Sequence, residues 1–152
     1  VVDEINSLLG VAILNLPPKF KEMIHKIQND LFDLGADLCV PEEKNPKFEP
    51  LRITQKQIDR LEKEIDMMNA NLDALKSFIL PGGTIQSANL HLARTVTRKA
   101  EILINKLNKK EKINPLAIKY INRLSDHLFV SARAINKHKK TNDVLWVPGK
   151  SR

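Results

Sequence analysis

The stretch FILPGGTIQSANLHLARTVTRKAE, residues 78–101, decides the fold of this 152-residue chain. Pro81, Gly82 and Gly83 cannot continue a helix, and Thr84 is a favourable N-cap, so the sequence predicts a helix start at this point. Apolar residues then recur at steps of three and four, which predicts an amphipathic helix. This apolar stripe consists of Ile85, Ala88, Leu92, Val96, Ala100, Leu103 and Leu107.

A second stripe on the same helix is polar, and it comprises Ser87, His91, Arg94, Arg98, Glu101 and Asn105. Such a stripe is ordinarily a solvated face, because charged residues are mostly exposed. Two features favour a binding site instead. Leu90 and Ile102 flank the stripe, and two arginines one turn apart suit carboxylate or phosphate. The helix start after Gly-Gly also offers free backbone N–H groups. The pattern therefore predicts an anionic ligand or an acidic partner chain along this face.

Four further segments carry helical periodicity. The first covers residues 1–15, and the second begins at Pro18, where proline can occupy the first helical position. The third follows a capping box formed by Thr54 and Gln57, and the last begins at Asn114-Pro115. Residues 40–53 contain three prolines and are predicted to form a loop. We therefore predict one all-α domain, a five-helix up-and-down bundle spanning residues 1–152.

Composition limits the function classes only weakly. The chain has 25 basic and 18 acidic residues, a net charge of +7, which is compatible with nucleic acid, polyphosphate or an acidic protein. Cys39 is the only cysteine, so an internal disulfide is excluded and a reducing compartment fits. We expect Cys39 to be buried. The longest apolar run, residues 8–14, is too short to span a bilayer, and no signal peptide is visible.

The sequence contains one candidate metal-binding motif. Glu22 and His25 form a Glu-x-x-His pair, which supplies ligands in di-iron helical bundles. Such sites need the motif twice and two further glutamates, but the chain contains one copy. The sequence therefore predicts no metal site, and it predicts His25 at the surface.

Three blocks of sequence resemble a known family. FILPGGT, HLARTVTRKAE and INRLSDHLFVSAR follow one another as in the ATP:cob(I)alamin adenosyltransferases of the propanediol-utilisation type. VDEINSLLG near the start and LFDLGADLCVP near Asp33 are similar to that family at the corresponding places. The resemblance covers nearly the whole chain.

The resemblance implies a homotrimer of five-helix bundles with active sites between subunits. It implies ATP with Mg²⁺ and a corrinoid such as cobalamin as ligands. The reaction is attack of cob(I) on the 5′ carbon of ATP, which forms adenosylcobalamin and expels triphosphate. A flavoprotein reductase and an adenosylcobalamin-dependent enzyme are implied as partners, but neither nucleic acid nor a membrane. The implied location is a bacterial cytoplasm, or the mitochondrial matrix in a eukaryote.

The resemblance also assigns roles to residues. Arg94 matches an arginine that pairs across the subunit interface with an aspartate, here Asp3. Arg98 matches an arginine near the phosphates of ATP, Glu101 a glutamate that orders the nucleotide site, and Asn122 an asparagine that contacts ATP. We thus expect Arg94, Arg98 and Glu101 to be catalytic.

The remaining matches concern the corrinoid. Phe78 matches a phenylalanine that packs against the corrin and displaces its lower ligand, which makes cobalt easier to reduce. Asp126 completes the NRLSD block, and we expect its role to be structural first and functional second. Two positions depart from the family: Lys99 stands where two adjacent arginines are common, and Ile102 stands where a basic residue often follows the glutamate. The N-terminal ATP-binding segment of the type TGDxGxTxL is missing from this chain, which starts at Val1 and is expected to be a fragment or a partly observed chain. Either the segment is disordered or cut away, or this chain binds ATP poorly.

The sequence leaves two other interpretations of the function open. A basic helical bundle without enzymatic activity would bind nucleic acid or an acidic protein through its charge. A helical scaffold would keep the family fold but lack ATP binding. The only tryptophan, Trp146, lies in the terminal segment, where it either docks on its own domain or covers a ligand.

Overall fold

The computed structural model describes residues 1–152 and contains five helices. These are α1 (Val2–Ala12), α2 (Pro18–Leu38), α3 (Gln55–Asn69), α4 (Ile85–Asn108) and α5 (Pro115–His138). Helix α4 packs against α5 and α1, α3 packs against α5, and α1 packs against α2. The predicted all-α five-helix bundle is confirmed. Helix α5 contributes most to the core because it contacts α2, α3 and α4.

The helix ends follow the sequence signals closely. Thr84 caps α4, since its Oγ1 accepts a hydrogen bond from the Ser87 amide at 3.2 Å. The capping box of Thr54 and Gln57 is present at the start of α3. Asn114 caps α5 by accepting from the Leu116 amide at 3.0 Å. Helix α1 ends at Ala12 rather than at residue 15, because the chain turns into the left-handed region at Asn15 (φ 58°).

The apolar stripe of α4 faces mostly outward, which the periodicity did not indicate. Ile85 is 77% exposed, Leu92 50% and Leu103 42%. The buried face lies to one side of this stripe and is formed by Leu90, Ala93, Thr97, Ala100 and Ile104. Small residues on that face let α4 approach its neighbours closely, so its larger aliphatic side chains are left on the outer surface of the single chain.

The expectation for Cys39 is wrong. The cysteine is exposed, because α2 ends at Leu38 and the chain leaves the bundle at Cys39. His25 is exposed on α2, as predicted. None of the five helices combines the length and the apolar character that crossing a bilayer requires.

A buried carboxylate fixes the predicted loop to the bundle. Asp37 is fully buried, and its carboxylate accepts hydrogen bonds from Arg52 Nη1 (2.7 Å), the Ile53 amide (2.7 Å) and Asn114 Nδ2 (2.8 Å). These three donors come from the loop, from its end and from the start of α5. Asp37 therefore joins three segments, which are also linked by the hydrogen bond from Asn114 Nδ2 to the Ile53 carbonyl at 2.9 Å.

Candidate functional site

Two arginines on α4 carry charges that the chain does not neutralise. Arg94 is half-buried and Arg98 is exposed, and neither forms an ion pair with a carboxylate of this chain. The Nε of Arg94 is buried and has no hydrogen-bond partner. Burial lowers the pKa of Arg94, and the positive charge of Arg98 lowers it further. Because arginine keeps its proton in proteins, burial of the Arg94 charge costs free energy, and an anionic partner would offset that cost.

A chain of polar contacts joins α4 to α5 beside the arginines. Asn122 Nδ2 donates to Glu101 Oε1 at 2.8 Å, and Asn122 Oδ1 accepts from Arg123 Nη2 at 2.7 Å. Arg123 also pairs with Asp126 at 2.9 Å. The Asn122 amide is therefore held in one orientation by its two neighbours. Sequence reasoning missed Arg123, although its position between Asn122 and Asp126 in the NRLSD block was the available signal.

The Pro-Gly-Gly turn before α4 is held by an asparagine of α5. Asn136 Oδ1 accepts from the Thr84 amide at 3.0 Å, and Asn136 Nδ2 donates to the Gly82 carbonyl at 3.2 Å. Gly83 has φ +97°, and a Cβ there would lie 2.3 Å from Asn136 Nδ2. Glycine is therefore required at this position for both conformation and space.

The C-terminal segment docks against this turn and forms an aromatic pocket. Trp146 N donates to the Phe78 carbonyl and Leu80 N donates to the Val144 carbonyl, each at 2.7 Å. The rings of Phe78 and Trp146 lie 5.9 Å apart. With Phe129 they line a cavity of about 610 Å³, which we call the aromatic pocket. Phe78 is 76% exposed, so it is not a core residue. Trp146 docks on its own chain, as one of the two predictions for it stated.

A buried histidine lies on the same helix face as the arginines. His91 is 2% exposed, and neither of its ring nitrogens has a hydrogen-bond partner in the protein. Its ring packs edge-on against Phe129 at 6.1 Å. Burial lowers the pKa of His91, Arg94 lowers it further, and Asp143 opposes the shift. His91 thus contacts the aromatic pocket through Phe129 and lies one turn from Arg94.

Asp3 lies apart from the other predicted site residues. It is exposed on α1 and forms no ion pair with Arg94 within the chain. It lines a cavity of about 600 Å³ together with Phe32 and Cys39. The structure therefore brings Glu101 and Asn122 into contact, and Arg94 and Arg98 lie one turn apart on α4. Asp3 has no arginine partner within the chain.

The two residues of the Glu-x-x-His motif both lie on the surface of α2. Glu22 accepts a hydrogen bond from Lys26 at 2.8 Å, and His25 points to solvent on an exposed position. No group of three or more histidine, cysteine, aspartate or glutamate side chains is arranged to hold a metal ion.

Comparison with known proteins tests the predicted family. Residues 1–135 match the family model described as cobalamin adenosyltransferase. The chain belongs to the cobalamin adenosyltransferase family. It is 48% identical to a corrinoid adenosyltransferase of Mycobacterium tuberculosis over 156 aligned positions, which cover 99% of this chain and 78% of that protein. It is 38% identical to the Bacillus subtilis corrinoid adenosyltransferase, covering 95% of this chain and 76% of the relative.

Solved structures of cobalamin adenosyltransferases agree with this assignment. A variant of the PduO-type ATP:corrinoid adenosyltransferase from Lactobacillus reuteri, complexed with cobalamin and ATP, superposes with a TM-score of 0.89 at 36% identity. The match covers 95% of this chain and 81% of that one. The predicted family is confirmed, whereas a basic bundle that binds nucleic acid or an acidic protein finds no support.

Proposed function

We propose that this chain transfers the 5′-deoxyadenosyl group of ATP to the cobalt of cob(I)alamin. Cobalt supplies the electron pair of the new Co–C5′ bond, and the C5′–O bond breaks with its electrons on the leaving triphosphate. The corrinoid is the nucleophile, so the protein needs no general base. Its residues orient the two substrates and stabilise the charge of the leaving group.

The observation that carries the proposal is the unpaired arginine row of α4. Arg94 and Arg98 hold positive charge one turn apart, and the buried Arg94 Nε lacks a partner in the chain. Charge-assisted bonds from arginine to phosphate are among the strongest hydrogen bonds in proteins. Arg98, the more exposed of the two, binds the triphosphate of ATP and stabilises it as it leaves.

Glu101 and Asn122 order the nucleotide in this proposal. Their mutual hydrogen bond of 2.8 Å, with Arg123 behind Asn122, presents a fixed carboxylate and amide beside the arginines. A preformed arrangement of this kind binds without first losing side-chain entropy. The neighbouring polar groups thus select a nucleotide pose before cobalt attacks.

Phe78 forms the floor of the corrinoid site. Its exposed ring lines the aromatic pocket with Phe129 and Trp146, which offers an apolar surface to a flat macrocycle. A ring packed beneath cobalt leaves no room for the lower ligand. Loss of that ligand favours the reduced cob(I) state, which is the reactive nucleophile.

The active unit is a homotrimer whose sites lie between subunits. The exposed apolar stripe of α4, with Ile85, Leu92 and Leu103, supports a contact with another copy of the chain. Asp3 and Arg94 lack ionic partners within the chain, and they form the salt bridge between copies in this arrangement.

The remaining parts of the proposal concern partners. Mg²⁺ accompanies ATP and reduces the charge of the triphosphate, and we assign no protein ligand to it. A flavoprotein reductase supplies the electron for cob(II), and an adenosylcobalamin-dependent enzyme accepts the product. The cytoplasm, or the mitochondrial matrix in a eukaryote, provides the reducing conditions.

An anaerobic assay with the full-length protein tests the function. We expect ATP and chemically reduced cob(I)alamin to yield adenosylcobalamin, measured by its absorption spectrum. With cob(II)alamin and ATP, the spectrum should shift to that of a four-coordinate species. Absence of product would contradict the enzymatic proposal, and absence of ATP binding would favour the scaffold interpretation.

Substitution of Arg98 tests its assignment. Arg98→Ala should lower kcat/KM for ATP about a hundredfold or more, because one charge-assisted contact to the leaving group is lost. The exposed Lys106→Ala on the same helix is the matched control and should remain active. Unchanged turnover in Arg98→Ala, with the far-ultraviolet circular dichroism intact, would remove Arg98 from the site.

A further inference from the structure

A basic cleft adjoins the aromatic pocket. The cleft has a volume of about 410 Å³, and its charged lining consists of Lys76, Arg133, Lys137, Lys140, Asp73 and Asp143. Leu75 and Lys76 line both cavities, so the cleft and the pocket are neighbours. Any molecule held in the pocket therefore lies next to a positively charged space.

The positive charge of the cleft is not cancelled from within. Asp143 accepts from Arg133 Nε at 3.0 Å, so these two residues neutralise each other. Lys76, Lys137 and Lys140 then face only Asp73, and none of the three lysines forms an ion pair. The cleft keeps a net charge of about +2, which favours an anion.

The ordinary role of basic residues at a helix end explains only part of this cluster. Lys137 and Lys140 lie at the C-terminal end of α5, where cations stabilise the helix dipole. Lys76 comes from the segment between α3 and α4, so it is not part of that helix end. Lys137 Nζ donates to the Asn71 carbonyl, which joins the two walls of the cleft. The cations thus converge from separate segments on one space.

We propose that the basic cleft holds the phosphodiester of the corrinoid's nucleotide tail. The inference rests on the proposed placement of the corrin over Phe78. Cobalamin carries its lower base on a tail joined to the ring through a phosphodiester, which has one negative charge. When Phe78 displaces the base, the tail must leave from the face of the ring that Phe78 contacts. The cleft is the neighbouring space with the complementary charge, and it keeps the tail from returning to cobalt.

Two alternatives differ from the proposal in measurable ways. The lysines could bind the triphosphate of ATP, or they could serve only to hold the segments that line the aromatic pocket. Cobinamide separates these cases, because it has the corrin ring but neither the phosphate nor the base. Cobinamide phosphate adds the phosphate without the base, so it distinguishes recognition of the two groups.

The experiment compares wild type with the double variant Lys76→Gln/Lys140→Gln. Both lysines are exposed, so the fold should persist. We expect KM for cobalamin and cobinamide phosphate to rise about three- to tenfold, since each exposed charge contact contributes up to about fivefold. KM for cobinamide and for ATP should stay within about twofold of wild type. In wild type, but not in the variant, salt should raise KM for cobalamin.

The charge-matched control is Lys56→Gln/Lys63→Gln on the exposed side of α3, which should behave like wild type. An equal rise in KM for cobalamin and cobinamide would overturn the proposal in favour of a structural role. A rise in KM for ATP alone would assign the cleft to triphosphate, and an unchanged KM for cobalamin would show that the tail does not reach it. If wild type converted neither corrinoid, the proposed function itself would fail.

Discussion

Asn122 of α5 donates a hydrogen bond from Nδ2 to Oε1 of Glu101 on α4, across 2.8 Å. Its Oδ1 accepts from Arg123 at 2.7 Å, so both ends of the amide are occupied. The two helices that pack most extensively in this bundle are thus also joined by a polar contact next to the arginine row. This contact makes the relative position of α4 and α5 part of the proposed nucleotide site.

Asn122→Asp tests this relationship. The new carboxylate cannot donate to Glu101 and repels it, so both side chains should leave their present positions. We expect kcat/KM for ATP to fall about ten- to a hundredfold, since a hydrogen bond to a charged group contributes about 1.5–3 kcal/mol. Asn45→Asp in the exposed loop introduces the same charge and should not change the steady-state parameters. Equal kinetics for the two variants would exclude a role for the Asn122 amide.

Gly83→Ala should destabilise the fold. The added Cβ would meet Asn136 Nδ2 at 2.3 Å, and φ +97° is unfavourable for alanine. Displacing Asn136 breaks its bonds to Thr84 and Gly82, so we expect the free energy of unfolding to fall by about 2–4 kcal/mol. Gly35→Ala in α2 meets no atom within 4 Å and should instead stabilise by about 0.5–1 kcal/mol. Urea unfolding at one fixed protein concentration measures both, and equal effects would contradict the steric argument.

His91 should make stability depend on pH. Burial, then Arg94, lowers its pKa in the folded protein, and Asp143 only partly opposes this. Between the unfolded value of about 6.5 and the lower folded value, the unfolded chain binds more protons. The contribution of the neutral His91 side chain to the free energy of unfolding is therefore complete above about pH 6.5 and decreases as the pH falls below that value. His91→Gln should flatten the pH dependence of urea unfolding between about pH 5 and 7.

The exposed His25→Gln on α2 is the matched control, and it should keep the wild-type slope. If His91→Gln and wild type lost stability in parallel on acidification, the buried imidazole would not be the responsible group.

Asp37→Asn should loosen the loop of residues 40–53. The carboxylate receives three donors, and an amide cannot accept from all of them while its own NH₂ group faces Arg52. We expect a loss of about 2–4 kcal/mol, because Arg52 is left without its buried partner but can still reach water. Amide hydrogen exchange should accelerate across residues 40–53. The exposed Asp66→Asn on α3 is the control. If the amides of residues 40–53 exchanged at the same rate in both variants, Asp37 would not be the residue that fixes the loop.

The sequence by itself determined the five helices, the positions where they begin and the family. Thr84, Thr54 and Asn114 cap their helices as predicted, because a cap is a local hydrogen bond between residues within one turn. The family blocks are likewise contiguous in the chain. The contact of Glu101 with Asn122 was not predicted, because the resemblance assigned each residue separately to the nucleotide site.

Only the tertiary structure decided which helix faces are buried. Periodicity identifies an apolar stripe, but the rotation of a helix in a bundle depends on its neighbours, and α4 is rotated so that Ile85 and Leu92 are exposed. Cys39 is exposed for a related reason, because burial depends on where the chain leaves the bundle. The roles of Asn136 and the basic cleft also required coordinates. Each depends on residues far apart in sequence, whose contacts no local pattern encodes.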